Sequence, residues 1–137
     1  MNQTVLIAFS LFLGIAVAQS VIQLKQDNIQ TERIEYSTQH GFLVSSKEGT
    51  VYKVDDEGNV YPFVVHDSFK TSLGLHVDAK RNLLLIANSN GSLIEADLIT
   101  GKVTREVKLT KVGSVGHNKY INDVTCDDDG KFYSIIW

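Results

Sequence analysis

Cysteine is almost missing from this chain, with Cys126 the only one. Small secreted domains commonly offset a thin core with several disulfides, and a single thiol excludes that device within the chain. No basic residue adjoins Cys126 to lower its pKa, so it reads as a small buried hydrophobe in a strand rather than a catalytic thiol. Basic side chains are scattered, Lys80-Arg81 being the only adjacent pair. That excludes the one-sided basic patch through which proteins hold nucleic acid. The formal charge of −3 is too slight to imply a basic partner. No segment sustains a helical period, which argues against a mixed fold. Gly113-Ser114-Val115-Gly116 has its serine and glycines in the wrong places for a nucleophile elbow or a phosphate loop. Proline occurs once, at Pro62.

Apolar residues make up 43% of the 137, enough for the core of one domain. The first 18 residues differ from the rest. Val5 to Val17 is an unbroken run of small and apolar residues, and no charged side chain precedes Lys25. The run is short for a membrane span but normal for a signal peptide, and Ala16-Val17-Ala18 supplies the small-x-small pattern for cleavage before Gln19. Residues 1–18 are therefore expected to be a signal peptide, an uncleaved anchor being the competing reading. The mature protein would be secreted and free of the membrane.

Residues 19–31 read as a lead-in, and strands come in succession from Glu32 onward. Short strands are expected at Ile34–Tyr36, Phe42–Ser45, Thr50–Val54 and Val60–Val65. Pro62 cannot donate to a ladder, which places the last of these at a sheet edge. Leu75–Asp78 and Leu83–Ala87 come next, the second apolar at every position and so expected to be buried on both faces. Asn90-Gly91 reads as a two-residue hairpin turn into Ser92–Asp97. Val103–Leu109 alternates as an outer strand, 111–119 is a linker, and Tyr120–Asp127 and Phe132–Ile136 close the chain.

The pattern repeats. Gly49 and Gly91 lie 42 residues apart, as do Asp55 and Asp97, while Gly58 and Gly101 differ by 43. Four strands per unit of this length match a propeller blade; the competing reading is a plain antiparallel meander. The expected fold is all-β: a partial β-propeller over residues 32–137, with four-stranded antiparallel blades near 32–66 and 72–110 and an incomplete one at 120–137. Two and a half to three blades do not close a ring. The chain is thus expected to be a fragment of a longer protein, or else to pair with another chain through its unfinished sheet edge.

The motifs within these units resemble gluconolactonase/regucalcin-like propellers. Thr31-Glu32-Arg33-Ile34-Glu35-Tyr36, Phe42-Leu43-Val44-Ser45-Ser46 and Gly49-Thr50-Val51-Tyr52-Lys53-Val54-Asp55 are similar to that family's opening blade, E-G-I-x-Y, F-x-V-S-S and G-x-I-Y-x-V-D. Leu73-Gly74-Leu75-His76-Val77-Asp78 with Leu83–Asn88 resembles its L-G-x-x-V-D and L-x-V-A-N. Ile121-Asn122-Asp123-Val124-Thr125-Cys126-Asp127 with Gly130 and Phe132-Tyr133 resembles its N-D-V-x-x-D and G-x-x-Y, a pattern shared with paraoxonases and strictosidine synthase-like proteins.

The resemblance implies a divalent metal, commonly calcium, at the channel mouth, with Glu32 and Asn122 matching two of its ligands. The family's later aspartate ligand has no counterpart before Trp137, and Thr31 and Arg33 stand where proline and glycine are common. His117, in the linker before Asn122, is the candidate base, whereas His76 reads as a packed side chain. Asp127-Asp128-Asp129-Gly130 fails the calcium-loop template, with Thr125 and Ile136 at the first and twelfth positions, and reads as a hairpin turn. Asn90-Gly91-Ser92 is a glycosylation acceptor. Two functions are open: a calcium-dependent hydrolase of lactones or esters, little active with only part of its ligand set, or a non-catalytic secreted propeller that binds a protein or small ligand.

Overall fold

The computed structural model describes residues 4–8, 19–69, 72–109 and 121–136. All of its regular structure is β: β1 (Thr4–Ala8), β2 (Gln19–Gln23), β3 (Thr31–Ser37), β4 (Gly41–Ser46), β5 (Thr50–Val54), β6 (Val60–Val65), β7 (Ser72–Asp78), β8 (Leu83–Asn88), β9 (Ser92–Asp97), β10 (Val103–Lys108), β11 (Ile121–Cys126) and β12 (Phe132–Ile136). Each strand pairs antiparallel with a neighbour in sequence. The first sheet is β3-β4-β5-β6, the second β7-β8-β9-β10 and the third the two-stranded β11-β12, with a leading pair β1-β2 ahead of them. Thr4–Ala8, inside the expected leader, pairs with Gln19–Gln23. Among the described residues the sheets stack without closing into a barrel.

Alternation along each strand decides the stacking, because successive side chains leave opposite faces of a sheet. In β8, Leu84 and Ile86 join Leu43, Val51 and Val64 of the first sheet in one cluster. Leu85 and Ala87 turn the other way and pack on Ile121, Val124 and Phe132 of the third sheet. This is why β8 is apolar from Leu83 to Ala87: it is dry on both sides. A third cluster places Phe42, Val44 and Val54 of the first sheet against Ile22 and Leu24 of the lead-in. The order of layers is therefore lead-in, first, second and third sheet. Burying each of these aliphatic side chains contributes about 1.5–3 kcal/mol, so the layered clusters carry the stability that disulfides do not supply.

Turns are held largely by their own side chains. The Asp55 carboxylate accepts from the N–H groups of Glu57 and Asn59, Asp97 from Ile99 and Thr100, and Asp127 from Asp129 and Lys131. The acidic runs at 55–58 and 127–130 are thus hairpin turns. The β8–β9 connection differs from expectation. Asn88 pairs with Ser92, which leaves a three-residue loop, with Gly91 at φ 85° supplying the left-handed residue that such a loop requires. At the edges the expectation holds: β6, with Pro62, and β10 lie outermost in their sheets.

The first strands β3, β7 and β11 lie side by side, with β7 packed against both others. Their closest approach is at Gly74, where a Cβ would stand 2.7 Å from the Asp123 Cα and 3.0 Å from the Asn122 carbonyl oxygen. Only a residue without a side chain lets β11 dock there. Gly74→Ala is expected to cost about 1–3 kcal/mol by forcing the second and third sheets apart. Urea denaturation checks this against Ile99→Ala, an exposed turn position expected to change stability little.

Candidate functional site

Each first strand carries the same irregularity. The register shifts between Thr31 and Arg33 in β3, between Ser72 and Gly74 in β7, and between Ile121 and Asp123 in β11. Residues Glu32, Leu73 and Asn122 are therefore equivalent bulge positions, one per sheet. Bulges of this kind re-aim side chains and concentrate beside functional sites. The two residues that the family resemblance marks as metal ligands occupy two of the three. This correspondence is invisible in the sequence, because a bulge has no composition of its own.

A polar cluster lies one residue beyond the bulges. Arg33, Gly74 and Asp123 are equivalent, and the Arg33 guanidinium reaches past Gly74 to the Asp123 carboxylate, Nη2 to Oδ2 2.9 Å. A side chain at Gly74 would meet Asp123 Oδ1 at 2.9 Å, so the glycine opens the path for this ion pair as well as for the strand. Two residues further along β3, Glu35 leans onto the inner edge of β7, and its carboxylate accepts the Val77 N–H. Burial pushes the Glu35 carboxyl above its ordinary value, with the Asp123 charge adding to the rise. His76, the Val77 N–H and Arg33 pull the other way without cancelling it. His76, expected to be merely packed, thus belongs to this cluster electrostatically.

The metal reading meets a chemical obstacle. Calcium takes six to eight oxygen ligands. Glu32 and Asn122 offer one carboxylate and one amide from strands between which β7 lies, and Glu32 Oε1 stands 3.3 Å from Lys47 Nζ. Among the described residues no three His, Cys, Asp or Glu side chains converge on a point. Glu32 and Asn122 alone supply fewer oxygens than calcium takes, and Arg33 beside them is paired with Asp123. His117 lies outside the described residues.

The remaining candidates resolve as structure. Asp78 is buried and binds Arg81 Nη1 at 2.7 Å. Burial alone would raise its pKa, but hydrogen bonds from the Arg81 side chain, the Arg81 N–H and the Cys126 thiol together hold it below the usual range. Arg81 continues to the carbonyl oxygens of Asp127 and Asp128, and Lys80 Nζ donates to the Asp128 carbonyl at 2.9 Å. This bracket ties the β7–β8 turn to the β11–β12 turn. Cys126 sits within it, its thiol pKa pushed up first by burial and then by the Asp78 charge, which makes it a poor nucleophile. Asn90 is exposed on the β8–β9 loop, with its Oδ1 accepting from the Ser92 N–H at 2.9 Å and from the Ser92 hydroxyl at 2.5 Å.

No family model and no curated protein matches the chain. Solved structures do. The computationally designed protein Ika4 superposes with a TM-score of 0.55 at 14% identity, over 84% of this chain and 69% of that one. The extracellular domain of BT4673 from B. thetaiotaomicron, described as a putative hybrid two component system, superposes at 0.63 with 10% identity, over 88% of this chain. The chain spans 18% of the length of that domain's chain. At these identities the likeness is one of fold alone.

A raised Glu35 pKa means that the folded protein binds this proton more tightly than the unfolded chain does. Its contribution to stability therefore falls as pH rises from the ordinary value of 4.5 through the raised one, and is constant above that. Glu35→Gln is expected to remove this slope, so that the stability difference between wild type and variant changes across that window and nowhere above it. Chemical denaturation at a series of pH values measures it.

Proposed function

We propose that the three stacked sheets are consecutive blades of a secreted, gluconolactonase-like β-propeller, and that the polar cluster of their first strands binds a small oxygen-rich ligand of the lactone or ester class. The observation that carries the reading is the Arg33–Asp123 ion pair lying beside Glu35, where β3, β7 and β11 run together. Donors and acceptors from three sheets meet there, which is the arrangement that orients a carbonyl compound. The equivalent bulges and the sheet-on-sheet packing support the blade reading.

Binding without catalysis is the reading that the geometry favours. Glu32 and Asn122 give calcium too few donors, and the one thiol is held in its unreactive form. The hydrolase reading rests on a different observation: a half-buried carboxyl of raised pKa near a histidine is the pairing that general acid–base chemistry uses. In a titration calorimeter a simple sugar lactone is expected to bind, with affinity reduced about tenfold or more by Asp123→Ala, since a charge-assisted contact is worth about 1.5–3 kcal/mol. Absence of binding to lactones and aryl esters alike would sink the proposal. Turnover of that panel, abolished by Glu35→Gln, would replace the binding reading with the hydrolase. A calcium-induced rise in melting temperature, lost in Asn122→Ala, would restore the metal site.

Secretion has its own test at Asn90. Ser92 is buried in the folded chain, so a glycan would have to be attached before the β8–β9 hairpin closes. Expression through a eukaryotic secretory pathway is expected to give an endoglycosidase-sensitive mass increase that Asn90→Gln removes. Retention of the unmodified chain in the cytosol would overturn the secretion proposal.

A further inference from the structure

Beyond their bulges the three first strands carry two rows of equivalent side chains. Counting from Glu32, Leu73 and Asn122, the nearer row is Arg33, Gly74 and Asp123, and the farther row is Glu35, His76 and Thr125. The nearer row satisfies itself. Arg33 Nη2 lies 2.9 Å from Asp123 Oδ2, and Asp123 Oδ1 accepts the Val124 N–H at 2.9 Å.

The farther row holds a carboxyl with no such partner. Glu35 is partly buried against β7 and accepts the Val77 N–H, yet among the described residues it belongs to no ion pair. Arg33, on its own strand, is committed to Asp123, and Asp123, from β11, is a like charge. His76, from β7, favours the ionised form of Glu35 without reaching salt-bridge distance. Within the first sheet Glu35 stands opposite Leu43, and Lys53 on the far side of Leu43 keeps its Nζ 5.3 Å from the Phe63 ring centroid. A ligand at these rows thus meets two carboxylates and one guanidinium that is already paired. Thr125 is exposed at the end of the row.

We propose that Glu35 is the specificity-determining residue of this cluster, admitting an uncharged, hydroxylated lactone or ester and turning away the carboxylate form of the same molecule. The inference deepens the ligand reading above and rests on it. Ligand hydroxyl groups donate to the two carboxylates, and the ligand carbonyl accepts from the Thr125 hydroxyl or the His76 ring. A ligand carboxylate instead sets acceptors against acceptors and a like charge beside Glu35 and Asp123. Such juxtaposition is a strong means of rejection where water is displaced. Addition of water to a lactone gives a hydroxy acid that loses its proton to solvent. The charge that favours entry of the closed ring therefore favours departure of the open acid.

Titration calorimetry near neutral pH, with a sugar γ-lactone and the sodium salt of the acid to which it opens, tests this. The lactone is expected to bind about tenfold or more tightly than the acid. Glu35→Gln keeps the shape and an oxygen for the Val77 N–H, and is expected to remove most of that preference by strengthening the acid. Asp27→Asn removes the same charge at an exposed position of the lead-in and is expected to leave the preference unchanged. Wild type supplies a second measurement that depends on no variant. As pH falls to the raised Glu35 value the carboxyl takes up a proton, and the preference should narrow. The hydroxyl beside the sugar acid's own carboxyl withdraws electrons and keeps it ionised through that range. An acid bound as tightly as the lactone, or a preference indifferent to Glu35→Gln or to the fall in pH, would overturn this inference and leave the ligand reading standing. Binding of neither compound would overturn both.

Discussion

The strand β8 of the second sheet is dry on both faces, and the rest of the structure depends on that constraint. A sheet packed on one side can face water on the other and needs only alternate apolar residues. Once Leu84 and Ile86 are committed to the first sheet and Leu85 and Ala87 to the third, β8 must be apolar at each of these positions, and its neighbours have nowhere to go but above and below it. The first strands are then brought edge to edge. Gly74 sets how close they come, and their remaining polar side chains must find partners in one another. The Arg33–Asp123 pair and the lean of Glu35 onto Val77 are consequences of that packing rather than its cause.

Much of this architecture is legible in the chain. The 42-residue spacing of Gly49 and Gly91, and of Asp55 and Asp97, marks turns whose geometry is written in local residues. Pro62 announces an edge for a backbone reason, and the continuous apolar run of β8 announces a doubly buried strand. The β8–β9 loop is one residue longer than its sequence suggests, because Asn-Gly suits both two- and three-residue hairpins and only the register distinguishes them.

The site is much less legible. Arg33 and Asp123 are 90 residues apart, and nothing local to either one signals the other. In sequence Arg33 is only a departure from the family's common glycine; in the fold it pairs with an aspartate whose own surroundings show only a strand motif. Glu35 and His76 are inconspicuous because each fits an alternating strand. Their significance comes from which edge they lie against, and that depends on the stacking of sheets. Glu32 and Asn122 stand out by resemblance and do share a backbone position, yet shared backbone position is not coordination.

The hairpin order of the strands has a consequence for how such a chain arises and grows. Every strand pairs with its predecessor or successor, and turns such as those at Asp55, Asp97 and Asp127 are closed by their own first residue. Each sheet can thus form from one contiguous stretch before docking on the sheet already made. No segment has to be threaded through another. A gene that copies or deletes one such stretch lengthens or shortens the stack by a whole layer, and leaves the remaining layers with the neighbours they had.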